Sequence, residues 1–255
     1  MLGGGGVDRA IHRAAEPVGR EEIRRVVEMK IKGWNSFEII WLTVFTAVAI
    51  MLSIIWKDNV LGLSVFISGV LCVVLAAKGS IWTYYFGMYN SIAYAWLSYQ
   101  NGLYGETMLN TLFFVPMNVI GWAAWRRKMD NNTVIMRKMS WKMFGLSALI
   151  CLAGMVVYGY WLSTFKSQNT AYIDAFTNCA SIIATIIMTL RYREQWVFYI
   201  SINVFSIIMW TNRLANGSDN AATMVVMWLA YLVNSIYGLY VWNKGYKAMS
   251  EKQAA

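Results

Sequence analysis

Five asparagines stand inside long apolar stretches of this chain: Asn90, Asn118, Asn178, Asn203 and Asn234. A primary amide offers both donor and acceptor without charge. The set therefore suits a solute that presents hydroxyl or carboxamide groups and needs no full counter-charge. Aromatic rings accompany the amides. Trp196, Asn203 and Trp210 recur at a spacing that keeps them on one stripe of a helix, and Trp82, Tyr89 and Trp96 form a similar stripe with Tyr85, Phe86 and Asn90 beside it. Flat rings stack on a planar heterocycle, and a cationic heterocycle gains roughly 0.5–2 kcal/mol per ring. Two structural roles compete with this reading. Trp82, Trp125, Trp196 and Trp242 fall where an interfacial aromatic belt is expected, and an amide at mid-depth can tie one helix to another.

Reactive chemistry is poorly supplied. The one histidine, His12, lies in a charged N-terminal segment, and Cys72, Cys151 and Cys179 show neither CxxC nor CxxH spacing, so neither a zinc site nor a disulfide framework is implied. No G-x-x-x-x-G-K-[ST] loop occurs, and the glycine run at residues 3–6 leads into charge rather than a strand-to-helix turn. No acid–base pair or metal-ligand set can be assembled, so an enzyme is not expected, nor is any cofactor or metal.

The elements that must hold the amides are membrane helices. The chain has 255 residues, 58% apolar and 14% charged, against about 45–50% and about 25% for soluble domains. Its polar side chains are too few to cover a water-exposed surface. Eight runs approach the roughly 20 apolar residues that a helix needs to cross a bilayer: 36–56, 59–77, 80–99, 107–125, 143–165, 170–190, 196–212 and 221–242. Inside them the only charges are Glu38 and Asp174. The expected class is an all-α integral membrane protein, because barrel strands would be shorter and alternating.

Basic residues orient it. With the N-terminus inside, only Lys57, Lys166 and Arg213 of the 22 lysines and arginines fall on the outer side, and cytoplasmic loops carry such an excess. Both termini are then cytoplasmic, and the net charge of +9 faces anionic membrane lipid rather than nucleic acid. No signal peptide is visible. Residues 1–35 form a basic segment in which Ile23, Val26, Val27 and Ile31 can share a face opposite Arg24, Arg25, Glu28 and Lys32, as in a surface helix lying on the inner leaflet.

The pattern repeats internally. The Trp82-to-Trp96 spacing recurs from Trp196 to Trp210, and N-x-x-G-x-x-x-W ending at Trp125 has a near match, N-x-x-x-G-x-x-x-W, ending at Trp242. Residues 59–125 and 170–242 thus read as two three-helix repeats, joined by a linker helix over 143–165 and preceded by an extra helix over 36–56. A cytoplasmic tail follows from 243 to 255. An odd number of helices per repeat plus one linker makes the repeats parallel, an arrangement that places solute between them near the midplane. Asp174 sits near an outer end, and no mid-depth carboxylate is present to couple protons or sodium, so facilitated transport is expected. A channel or a scaffold whose amides only join helices remains the alternative of another class. Trp and Gly faces permit a homo-oligomer.

The segments AAKGSIWTYYFGMYNSIAYAW, LYGETMLNTLFFVPMNVIGWAAW, DAFTNCASIIATIIMTLRYREQWVFYISINVFSIIMW and YLVNSIYGLYVWNK together resemble the PnuC vitamin transporters, best known for nicotinamide riboside. The resemblance spans residues 59–244 through L-Y-G at 103–105, P-x-x-x-I-G-W from Pro116 to Trp122, Q-W at Gln195 and Trp196, and N-x-x-S-I-x-x-W from Asn203 to Trp210. It implies a bacterial inner-membrane facilitator with a three-plus-one-plus-three core similar to SWEET sugar transporters. It also implies nicotinamide riboside as substrate, with Gln195, Trp196 and Asn203 in the site. Related carriers of thiamine or riboflavin stay open. Tyr199 stands where the family suggests Trp, and Asn118 or Thr185 where it suggests Gln.

Overall fold

The computed structural model describes residues 34–56, 60–100, 104–130, 133–164, 170–216 and 221–254. The amphipathic segment expected around Ile23 to Lys32 lies outside them, as do His12, Lys57 and Lys166. Two compact units divide the chain, Met1–Ala47 and Val48–Ala255.

Helix α1 (Ser36–Trp56), which begins in the first unit and ends in the second, opens on a reciprocal cap. Glu38 N donates to Asn35 Oδ1 at 2.9 Å and Asn35 N donates to Glu38 Oε2 at 3.0 Å. This satisfies two of the donors that a helix start leaves open. The acid anticipated inside the first span is thus an N-terminal capping residue.

The second unit contains α2 (Val60–Ala77), α3 (Trp82–Gln100), α4 (Tyr104–Leu109), α5 (Val115–Arg126), α6 (Trp141–Ser163), α7 (Ala171–Thr189), α8 (Gln195–Ala215) and α9 (Ala221–Ala254). Between α4 and α5 the chain continues as a π-turn over Asn110–Phe114, where Val115 N donates to Asn110 O. Pro116 follows immediately and has no N–H to give, so the helix meets the missing donor by widening one turn.

Helix α2 packs on α3 and α9, α3 on α5, and α7 on α5, α6 and α8, while α8 lies along α9. Close approach depends on small residues: Ala175, Ala180 and Ala184 of α7 are fully buried, and Gly159 of α6 lies directly under the Tyr172 ring.

Five segments among the described residues are long and apolar enough to cross a bilayer: Val60–Ala77, Thr107–Arg126, Trp141–Ser163, Ala171–Thr189 and Val225–Glu251. Helices α3 and α8 cover two further expected runs, but their tyrosines, serines, threonines and asparagines lower their hydropathy.

Two details depart from the expected outline. A short antiparallel ladder pairs β1 (Met129–Asp130) with β2 (Thr133–Val134), both residues of β2 being β-branched. The expected tail after residue 242 is a direct continuation of α9 to Ala254. Its Met249 sulfur accepts from Met136 N at 3.3 Å, so the extension docks on the α5–α6 connection.

Candidate functional site

Two turns form the base of the site. At the α2–α3 turn Lys78, Gly79, Ser80, Thr83 and Tyr84 donate backbone bonds to Val74, Ala76, Leu75, Ser80 and Ile81. At the α7–α8 turn Leu190, Arg191, Tyr192, Gln195 and Trp196 donate to Ile186, Met188, Ile187, Tyr192 and Arg193. The two sets match position for position, and each turn has one left-handed residue, Gly79 at φ 67 and Arg191 at φ 66. This register makes Tyr84, not Trp82, the counterpart of Trp196, which corrects the tryptophan spacing as a guide to the repeat. Packing agrees: the Tyr84 ring lies directly on Gly121, and a Cβ on Gly238 would come within 2.6 Å of the Trp196 ring.

The end of α5 and the later part of α9 then cross over. Trp125 Nε1 donates to Met188 O at 3.0 Å, and Trp242 Nε1 donates to Ala76 O at 3.1 Å. Met188 and Ala76 are matching residues of the two turns, so Trp125 caps a carbonyl near the end of α7 and Trp242 caps one near the end of α2. Both rings are fully buried. Their centroids stand 5.7 Å apart, with Tyr84 5.0 Å from Trp125 and Trp196 6.4 Å from Trp242. Tyr199 lies 5.7 Å from Trp196.

Within this aromatic cluster hydrogen-bonding capacity goes unused. Gln195 is fully buried, yet neither its Oε1 nor its Nε2 has a partner, and the same holds for Trp196 Nε1. Leaving such a group unmade costs about 1–3 kcal/mol. At the matching position of the other turn, Thr83 is equally buried but donates to Cys72 O at 2.9 Å. On that side the Tyr84 hydroxyl, at the position matching Trp196, is also buried without a partner, so unmet capacity lies on both turns and is greatest at Gln195, where a ligand with a carboxamide or hydroxyl could meet it.

The amides deeper in the bundle are already engaged. Asn203 Nδ2 donates to Ser235 Oγ at 2.9 Å, and Asn118 Nδ2 donates to Ser91 Oγ at 3.3 Å. Asn90 Nδ2 reaches Val65 O at 2.7 Å and Ser68 Oγ at 3.1 Å, and Asn234 Nδ2 reaches Val73 O at 3.2 Å. Asn178 Nδ2 only returns to Asp174 O in its own helix. Asn203, Asn118, Asn90 and Asn234 thus join helices through their NH2 groups.

The aromatic stripe of α3 is not brought to the cluster. Trp82, Tyr89 and Trp96 are 58%, 48% and 56% exposed, because the helix turns its Tyr84 and Ser91 face inward. Trp82 packs on Tyr85, while Trp122 Nε1 donates to the Tyr85 hydroxyl at 3.1 Å with the Arg126 guanidinium 5.1 Å above its ring. Phe86 and Trp210 are half-buried. Tyr84, Trp125 and Trp242 share one buried cluster with Trp196, whose own ring contacts are Trp242 and Tyr199; the duplicated G-x-x-x-W motif marks the two tryptophans, and only the turn register marks Tyr84.

Comparison with known proteins bears on this geometry. The sequence profile of the family described as nicotinamide mononucleotide transporter matches residues 59–244. The chain belongs to that family. Its relatives include the nicotinamide riboside transporter PnuC of Neisseria mucosa, 34% identical over 83% of this chain and 82% of that one. The PnuC of Haemophilus influenzae is 32% identical over 86% and 95%. A crystal structure of the vitamin B3 transporter PnuC superposes with a TM-score of 0.69 at 33% identity, covering 84% of this chain and 94% of its own. A member of this family is a membrane transporter, not an enzyme.

Proposed function

We propose that this chain imports nicotinamide riboside across the bacterial inner membrane by facilitated diffusion, through a site between two parallel three-helix repeats, 59–125 and 170–242. Relatives at about a third identity over most of their length are nicotinamide riboside transporters. The observation that carries the site is the buried Gln195 amide without partners, next to the Trp196 indole. In this reading the pyridinium stacks on Trp196 and Tyr199, Gln195 pairs with the carboxamide, and Asn203 offers its amide oxygen to ribose hydroxyls. The reciprocal bonds of Trp125 and Trp242 support a two-fold relation between the repeats. Those bonds lie at the helix ends on the basic side, so rocking about the cluster can open either face in turn. Both termini are cytoplasmic, with α6 as linker and α1 as an additional helix.

Exchange in proteoliposomes tests the reading. Labelled riboside outside should accumulate against unlabelled riboside inside, saturably and without an ion gradient. Uptake that rises linearly with concentration and shows no exchange would make the protein a channel, and a need for a proton or sodium gradient would exclude facilitated diffusion.

A further inference from the structure

The face opposite the outer loops holds a cluster of charge that carrying a riboside does not use. Arg137 N donates to Arg191 O at 2.8 Å and Arg193 N donates to Arg137 O at 3.0 Å, which pins the α5–α6 connection beside the α7–α8 turn. The Arg137 guanidinium lies 4.6 Å above the Tyr192 ring, and the Arg191 guanidinium donates to Ile135 O at 3.2 Å. Arg191 also occupies a left-handed conformation that glycine fills at the matching turn. A side chain there costs about 1–2 kcal/mol, so backbone geometry alone does not ask for arginine.

These constraints gather Lys128, Arg137, Lys138 and Arg191 around one cavity of about 420 Å³, with Tyr246 on its wall. None of the four pairs with a carboxylate among the described residues. Glu194 is already engaged, with Arg193 at 3.1 Å and Met139 N at 2.8 Å. Burial, and then the Arg137 charge, push the Arg191 guanidinium down from its ordinary value. Like charges held together in this way call for an anion. A second cavity of about 420 Å³ shares Lys138; the Arg193–Glu194 pair and Asn243 also line it, and Met139, Trp141, Phe144, Val197 and Leu239 form an apolar groove along it. A free phosphate would have no use for that apolar groove.

We propose that the paired cavities bind one anionic phospholipid of the inner leaflet, its phosphate among the four cations and an acyl chain along the groove. Basic pockets at the cytoplasmic ends of membrane helices suit such headgroups. The leaflet assignment rests on the orientation proposed above. The intact protein, purified in mild detergent and offered equal phosphatidylglycerol and phosphatidylcholine, can be read by native mass spectrometry. Phosphatidylglycerol should be retained in preference. Arg191→Gly, which suits the left-handed backbone, and Lys138→Gln should each lower that retention about fivefold. Val197→Trp should fill the groove and lower it as well. Equal retention of both lipids, or phosphatidylglycerol retention unchanged in both cation variants, would overturn the proposal. Full displacement by glycerol 3-phosphate would also overturn it, as a soluble-phosphate site. Riboside titration of the same samples reads the transport site separately, so failure of one reading is distinguishable from failure of the other.

Discussion

Gln195 and Gly238 show how differently two buried positions can constrain one helix pair. Gly238 has no side chain because the Trp196 ring occupies that space, 2.6 Å from where a Cβ would stand. The ring is itself held by Trp242 and Tyr199 and cannot yield cheaply. Gly238→Ala should destabilise the protein by about 1–3 kcal/mol, read as a lower melting temperature in detergent; an unchanged melting temperature would mean that the ring moves freely. Gln195 is the reverse case, a residue that costs stability where it stands. Gln195→Met removes an amide with no partner and keeps a similar volume, so the melting temperature should hold or rise while riboside binding weakens. At this scale the sequence was informative about residue type and less so about partner. That Asn203 and Asn118 sit inside the bundle followed from the cost of a polar group in hydrocarbon. That their NH2 groups face Ser235 and Ser91 did not, because a serine at a helix crossing leaves no periodic signature.

Among the elements, the helices were legible because long apolar runs have few alternatives in a bilayer. The expected run 143–165 corresponds to α6 over Trp141–Ser163, capped by Ser140 accepting from Met143 N. The short ladder at Met129–Val134 and the continuation of α9 to Ala254 were not legible, since charged segments carry neither the period nor the length of a span. The register of the α2–α3 turn against the α7–α8 turn does not follow the tryptophan spacing. It is set by one left-handed residue in each, a glycine in the first and an arginine that gives no hint of it in the second. The crossed caps make a prediction for the helix ends. Trp125→Phe and Trp242→Phe should each cost about 1 kcal/mol, since each removes the indole donor from a buried carbonyl that keeps only its backbone donors, and the double variant should depart from additivity because the two rings touch. Strictly additive losses, measured by thermal unfolding, would mean that the two caps act independently.

For the whole molecule, membership of a transporter family meets a proposed orientation and a proposed site. Orientation is testable without substrate. In a background lacking Cys72, Cys151 and Cys179, a cysteine at Asp130 should react with an impermeant thiol reagent only from the cytoplasmic side, and one at Lys166 only from outside. The opposite pattern would invert the topology and move the proposed lipid to the outer leaflet. Substrate and site are tested together by calorimetric titration of the purified full chain with nicotinamide riboside, thiamine and riboflavin, repeated on Gln195→Met. The account predicts binding of the riboside alone, weakened about tenfold or more in the variant with the fold intact. Riboside affinity that survives Gln195→Met unchanged, or binding of thiamine or riboflavin in its place, would contradict it.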